Sequence, residues 1–263
     1  KFIQIDRVYR AERPQRGRCR EFVQCDIDVI GDESYNAEIE LIPATGRALL
    51  RLPIGDFFIR VNNRQVLKAV LLSFGFEEDS LDNICIILDK LDKIGVDGVV
   101  NELEEASYGH DAILKLKDLI SRPVTLDMIE KIIPQNPNLE ILNNVIDGAN
   151  ALSDSKYKVV YDFTLVRGQG YYTGCVFEIA SSKFGGTIGG GGRYDNLIGK
   201  FTGEATPAVG FSIGFERIYA ILHEIGFKVP GRKKLAIIYK NDYIGAFKLA
   251  DTYRNTYEVS MYA

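Results

Sequence analysis

The four cysteines among 263 residues, Cys19, Cys25, Cys85 and Cys175, never form a CxxC pair. That spacing argues against a zinc ribbon, an iron–sulfur site or a disulfide scaffold, and a reducing compartment is the simplest fit. The only histidines, His110 and His223, fall in no metal-ligand or triad spacing, so no metal held by the protein alone is expected. No apolar run approaches the ~18 residues of a membrane span, and no basic start leads into an apolar stretch. The expectation is a water-soluble, cytoplasmic protein without a membrane partner. GxxxxGK and a strand-to-helix GxGxxG are also missing, which removes the usual P-loop and dinucleotide-binding readings. Basic excess is absent too: 32 Lys and Arg face 36 Asp and Glu, for a net charge of −4. Any contact with nucleic acid must therefore come from a local patch.

Two apolar strand-like runs, FIQIDRVYR and CREFVQCDIDVIG, flank the loop AERPQRGRC, a pattern that predicts an antiparallel hairpin. Residues 33–50 read as a helix with a turn and 57–61 as a short strand. Asn63 is placed to cap a helix over 64–74, with Gly75 ending it. Between Glu77 and Glu105 ten acids face only Lys90 and Lys93, a stretch that repels phosphate. Helical periodicity continues to about residue 155, with Pro123, Pro134 and Pro137 as breakers. Strand character returns in YKVVYDFTLVRG and YYTGCVFEIA, followed by the Gly-rich KFGGTIGGGGRYDNLIGKF and by PAVGFSIG entering the helix FERIYAILHEIG. KKLAIIYK and a helix from Tyr243 read as the opening of a separate α/β module. Strand pattern begins at once after Lys1, and a new module is barely begun by Ala263, so both ends are expected to be cut.

Chemistry concentrates at four places. Arg7, Arg10, Arg13, Arg16, Arg18 and Arg20 are interrupted only by Glu12, and guanidinium groups hold multi-oxygen anions by bidentate, charge-assisted hydrogen bonds. A solvated basic hairpin would carry the same arginines. In the next strand the period of two puts Phe22, Gln24, Asp26, Asp28 and Ile30 on one face, opposite Val23, Cys25, Ile27 and Val29. That polar ladder suits a small ligand's amine or ring nitrogen, although a strand facing solvent alternates in the same way. Arg167 ends a strand beside Gly168 and Gly170, with Tyr171 and Tyr172 as flat walls. Arg217 lies near the start of the last long helix, where exposed amides favour an anion.

Together these suggest a triphosphate laid on an antiparallel sheet, handled by charge and orientation. The residues then carry a resemblance. VYRAERPQRGRCREFVQCDIDVIG is similar to the second signature of class II aminoacyl-tRNA synthetases in its histidyl form. LVRGQGYYTGCVFEI with GGGRYDNL is similar to the histidine-specific elements, and AVGFSIGFERI to the third signature. The chain thus resembles the histidyl-tRNA synthetase family over roughly residues 1–75 and 157–263. It departs from the family's pattern at Gln169-Gly170, where many members have Leu-Asp.

The resemblance implies an α+β fold, a class II antiparallel sheet flanked by helices. It divides the chain into catalytic parts at 1–74 and 156–229, a helical insertion at 75–155 and the start of an α/β anticodon-binding domain at 230–263. It implies a ligase that joins histidine to ATP and passes the histidyl group to the terminal adenosine of tRNA(His), with Mg²⁺ arriving on ATP. Arg10, Arg167 and Arg217 would be catalytic. Arg10, Glu12, Arg18, Phe22 and Arg217 would bind ATP, and Arg10, Gln24, Asp28, Arg167, Tyr171 and Tyr172 would bind histidine. A homodimer is implied through residues upstream of Lys1. The alternatives are a synthetase-like module that senses histidine or uncharged tRNA or regulates another enzyme, and a generic nucleotide-binding domain.

Overall fold

The computed structural model describes residues 1–11, 13, 19–166, 170–229 and 231–263. They form two compact units, Lys1–Leu222 and His223–Ala263. In the first, strands β1 (Phe2–Tyr9) and β2 (Glu21–Ile30) are followed by α1 (Asn36–Leu49), β3 (Phe57–Asn63) and α2 (Arg64–Phe74). Helices α3 (Leu81–Leu88), α4 (Leu91–Glu105), α5 (His110–Ile120), α6 (Leu126–Ile132) and α7 (Pro137–Ala151) come next. The chain then returns to strand with β4 (Lys158–Tyr161), β5 (Cys175–Ser181) and β6 (Gly186–Arg193). The short α8 (Gly199–Thr202), then β7 (Ala208–Gly214) and α9 (Phe215–Glu224), complete the unit.

The seven strands form one sheet in the order β1-β2-β7-β6-β5-β3-β4. All pairs are antiparallel except β3 with β4. Alternation decides which face is which. On β3, Phe57, Ile59 and Val61 are buried against the helices, while Arg60 and Phe58 turn to the other face. On β2 only Val29 of the apolar face is fully buried; Val23, Cys25 and Ile27 are half-covered, because α1 and α7 cover the middle of the sheet rather than its β1 edge. The apolar stripe expected over 215–225 is likewise buried only at Ile218 and Ile221, with Phe215 and, just past α9, Ile225 exposed.

Local signals act where they were expected. The Asn63 side chain accepts from the Gln65 amide at 2.9 Å, a cap worth about 1 kcal/mol, and Gly75 ends α2 with φ 101. Helices α3 to α7 join the sheet in one continuous apolar cluster running from Val29 to Ile221. The strand expected over 157–168 is shorter. Past Tyr161 the Asp162 carboxylate accepts from both the backbone and the hydroxyl of Thr164, and this Asx-type turn takes the chain out of the sheet. Residues 171–174 are also outside β5. All four cysteines are free, and burial pushes the Cys85 thiol up to about 11.

The second unit contains β8 (Lys233–Ile238), α10 (Tyr243–Tyr253) and β9 (Tyr257–Tyr262). The two strands pair in parallel, as a βαβ connection requires. Ile237, Ala246 and Ala250 form its small core. Residue alternation in VSMYA was too short to announce β9.

Candidate active site

The face of the sheet turned away from the helices carries the polar groups. Strand register lines up Asp26, Ser212, Gly190, Glu178 and Arg60 across β2, β7, β6, β5 and β3. The neighbouring row runs Asp28, Gly210, Gly192 and Val176. Glycine at the centre of both rows removes side chains where the sheet would otherwise be filled, leaving a trough.

Two adjoining cavities of about 240 Å³ each occupy it. Gln24, Gly190 and Ser212 line both. Gln24 is held from three sides. Its carbonyl accepts from Arg10 at 2.8 Å, and its amide donates to Asp26 at 3.0 Å and to the Ser212 hydroxyl at 2.5 Å.

The first cavity holds Arg10, Phe22, Glu178, Thr187 and Arg217. The Arg10 guanidinium lies 4.8 Å from the Phe22 ring centroid, a cation–π distance. Arg217 donates to the Thr187 carbonyl and lies 5.8 Å from the Phe184 ring. Glu178 is ion-paired with Arg60, which also reaches Asp162 at 3.1 Å. Glu216 accepts from the Val23 amide at 2.7 Å and so ties α9 to β2. Two guanidinium groups and an aromatic plane can hold a phosphate chain and a flat base.

The second cavity is lined by Asp26, Asp28, Tyr171, Tyr172, Tyr194 and Leu197. Tyr171 and Tyr172 lie 4.5 Å apart between ring centroids, and Tyr194 meets Tyr171 edge-on at 6.3 Å. The Tyr194 hydroxyl donates to Asp28. Two glycines make this geometry possible. A Cβ on Gly210 would stand 2.0 Å from the Asp28 carboxylate, and one on Gly192 would stand 2.8 Å from the Tyr172 ring. Burial raises the Asp28 carboxyl above the usual carboxylate range; the Tyr194 hydrogen bond opposes this and Asp26 adds to it. The same burial, with Asp28 next, pushes the Tyr194 phenol up.

A raised carboxylate favours the fold while it is protonated, and that contribution is lost as pH rises through its folded value. Asp28→Asn should therefore gain stability over the native protein as pH rises from about 4 to 7, read as a urea midpoint that diverges upward. Midpoints that stay parallel across that range would refute the cause. The carboxylate is held at a cost to the fold.

Arg193, at the end of β6, fixes the tyrosine wall. It donates to both oxygens of Glu38 on α1 at 2.7 and 2.5 Å, to the Asp32 and Ser34 carbonyls, and to Asp195 at 3.1 Å. Asp195 in turn accepts from the Ala208 amide and the Thr173 hydroxyl. Tyr194 and Thr173 are thereby clamped beside Asp28 and Tyr172.

Of the expected site residues, Arg10, Phe22, Gln24, Asp28, Tyr171, Tyr172 and Arg217 all line one or both cavities. Glu12, Arg18 and Arg167 lie outside the described residues. Sequence reasoning gave no role to Ser212, Tyr194, Glu178, Thr187 or Glu216. Alternation in AVGFSIG could have placed Ser212 on the polar face, and Tyr194 stands inside the quoted GGGRYDNL. Among the described residues no group of three or more His, Cys, Asp or Glu could hold a metal ion, and no helix is long and apolar enough to cross a membrane.

Comparison with known proteins agrees with this architecture. A family model described as histidyl-tRNA synthetase matches residues 1–218. A histidine–tRNA ligase of Leifsonia xyli is 44% identical over 232 residues, covering 84% of this chain and 53% of the relative. One from Flavobacterium johnsoniae is 38% identical over 235 residues, covering 86% and 49%. The chain spans about half the length of the curated relatives it matches. The crystal structure of histidyl-tRNA synthetase from Nostoc sp. PCC 7120 superposes with a TM-score of 0.78 at 29% identity, over 99% of this chain and 64% of that one. A Bacillus halodurans protein described as an ATP phosphoribosyltransferase regulatory subunit/histidyl-tRNA synthetase shares the fold, with a TM-score of 0.73 at 24% identity over 99% of this chain and 67% of its own. The sheet is thus of the class II synthetase kind, and the match over residues 1–218 places this chain in the histidyl-tRNA synthetase family.

Proposed function

We propose that the protein to which this chain belongs is a histidine–tRNA ligase. A histidine carboxylate oxygen attacks the α-phosphorus of ATP, forming histidyl-adenylate as the bond to the bridging oxygen breaks and pyrophosphate leaves. A hydroxyl of the terminal adenosine of tRNA(His) then attacks the acyl carbon, and AMP leaves. The observation that carries this reading is the junction of the two cavities at Gln24, Gly190 and Ser212. An aminoacyl-adenylate needs an anion-and-base half joined to an amino-acid half, and Arg10 sits at the joint through its bond to Gln24.

Arg10 then holds the α-phosphate and the histidine carboxylate, Arg217 the γ-phosphate, and Phe22 one face of the adenine. Glu12 and Arg18 complete the nucleotide site, and Arg167 neutralises charge at the reacting phosphorus from the side opposite Arg10. Gln24 and Asp28 take the α-ammonium, and Tyr171 and Tyr172 wall the imidazole. Mg²⁺ bound to ATP neutralises the outer phosphates. It travels with the nucleotide, and Glu178 beside Gly190 is paired with Arg60. Residues 1–74 and 156–229 are the catalytic domain, 75–155 its insertion and 230–263 the beginning of the anticodon-binding domain. The whole protein works as a cytoplasmic homodimer joined through segments before Lys1.

The test is histidine-dependent ATP–pyrophosphate exchange with the full-length protein. Exchange that requires histidine supports the ligase. ATP binding without such turnover would favour a sensing or regulatory relative. In the same assay Asp28→Asn should raise the KM for histidine about tenfold or more, as loss of a charged hydrogen bond implies, with little change in the KM for ATP.

A further inference from the structure

A third cavity, of about 230 Å³, lies on the other side of the tyrosine pair. It shares Tyr171, Tyr172 and Leu197 with the cavity that holds Asp28. The first turns of α2 supply Arg64, Gln65 and Lys68; α8 supplies Lys200, and Asn196 lies between. Its charge is out of balance. Arg64 at 3.0 Å and Lys68 at 2.9 Å both bind the same oxygen of Asp82, the single carboxylate in the lining. Lys200 is exposed and has no acidic partner among the described residues.

Three cations share one anion in a polar recess. Arg64 is only 6% exposed, so little water reaches it to compensate. A guest carrying one or two negative charges would complete the set, binding Lys200 and the second side of Lys68 while Asn196 donates its amide. A flat phenol ring separates that guest from the Asp28 cavity.

We propose that this cavity is a phosphate-binding subsite, distinct from the nucleotide cleft, that takes either the last phosphodiester of an RNA strand or a free phosphate. On the proposed ligase function, on which the RNA source rests, an acceptor strand must bring its terminal ribose to the neighbouring cavity. A phosphate held behind the tyrosine pair would fix the approach of that strand.

Lys200 lines this cavity and neither of the other two, so Lys200→Gln isolates it. The experiment titrates full-length native protein and the variant with inorganic phosphate, and separately with a short single-stranded oligoribonucleotide ending in adenosine. The variant should bind at least one probe about threefold or more weakly, and for the oligonucleotide its salt slope should fall by about one unit. A difference confined to the oligonucleotide identifies the strand as the source; one confined to phosphate identifies a free anion. Equal binding of both probes by both proteins overturns the subsite. Pyrophosphate exchange should stay within about twofold, and a parallel loss would put Lys200 in the nucleotide cleft and overturn the distinct site. Absent exchange in the native protein refutes the ligase reading alone, because the difference in phosphate binding still judges the cavity.

Discussion

Arg193→Ala should lower the free energy of unfolding by about 3–5 kcal/mol, the cost of leaving one member of a buried ion pair without its partner. Arg193 and Glu38 side chains are 9% and 1% exposed, and the same guanidinium satisfies the carbonyls of Asp32 and Ser34. Removing it strands a carboxylate and two acceptors together. Urea unfolding would show a large fall in midpoint with little change in slope. Glu38→Gln tests the assignment from the other side: it keeps an acceptor for the Arg193 fork and should cost less than Arg193→Ala. Equal midpoints for Arg193→Ala and the native protein would mean that the clamp carries no stability.

Arg167→Ala in the full-length protein should reduce histidine-dependent pyrophosphate exchange by at least about 10²-fold, as for loss of one preorganised charge donor. On the proposed mechanism the guanidinium meets charge that develops at the α-phosphorus, so kcat should fall while the KM values for ATP and histidine move little. Lysine should restore only part of the rate, because a point charge cannot reproduce a two-pronged contact. Unchanged exchange in the alanine variant would remove Arg167 from the mechanism, and an effect confined to KM would make it a binding group only.

Much of the site was legible because β2 is a regular strand. A period of two placed Gln24 and Asp28 on one face with no knowledge of their neighbours, and the Asn63 cap followed from local chemistry alone. The partners of those residues were not legible. Gln24 meets Ser212, and Asp28 meets Tyr194, across separations of 188 and 166 residues. No local pattern sets which strand lies beside β2. The overlong strand at 157–168 failed for the opposite reason, since a local event decided it: an Asx turn at Asp162 outweighed the apolar residues after it. The acidic run at 77–105 read as a stretch that repels phosphate, yet its Asp82 is the carboxylate around which Arg64 and Lys68 gather.

The sheet order also bears on how the chain is made. One edge of β2 pairs early with β1, but the other waits for β7, whose Ala208 pairs with Ile30. At ~5–20 residues per second that edge stays open on the ribosome for about 10–40 s. An open strand edge invites pairing with other chains, and charged side chains along it discourage that. Asp26 and Asp28 lie on that open strand, where like charge on neighbouring chains would disfavour such pairing before β7 arrives.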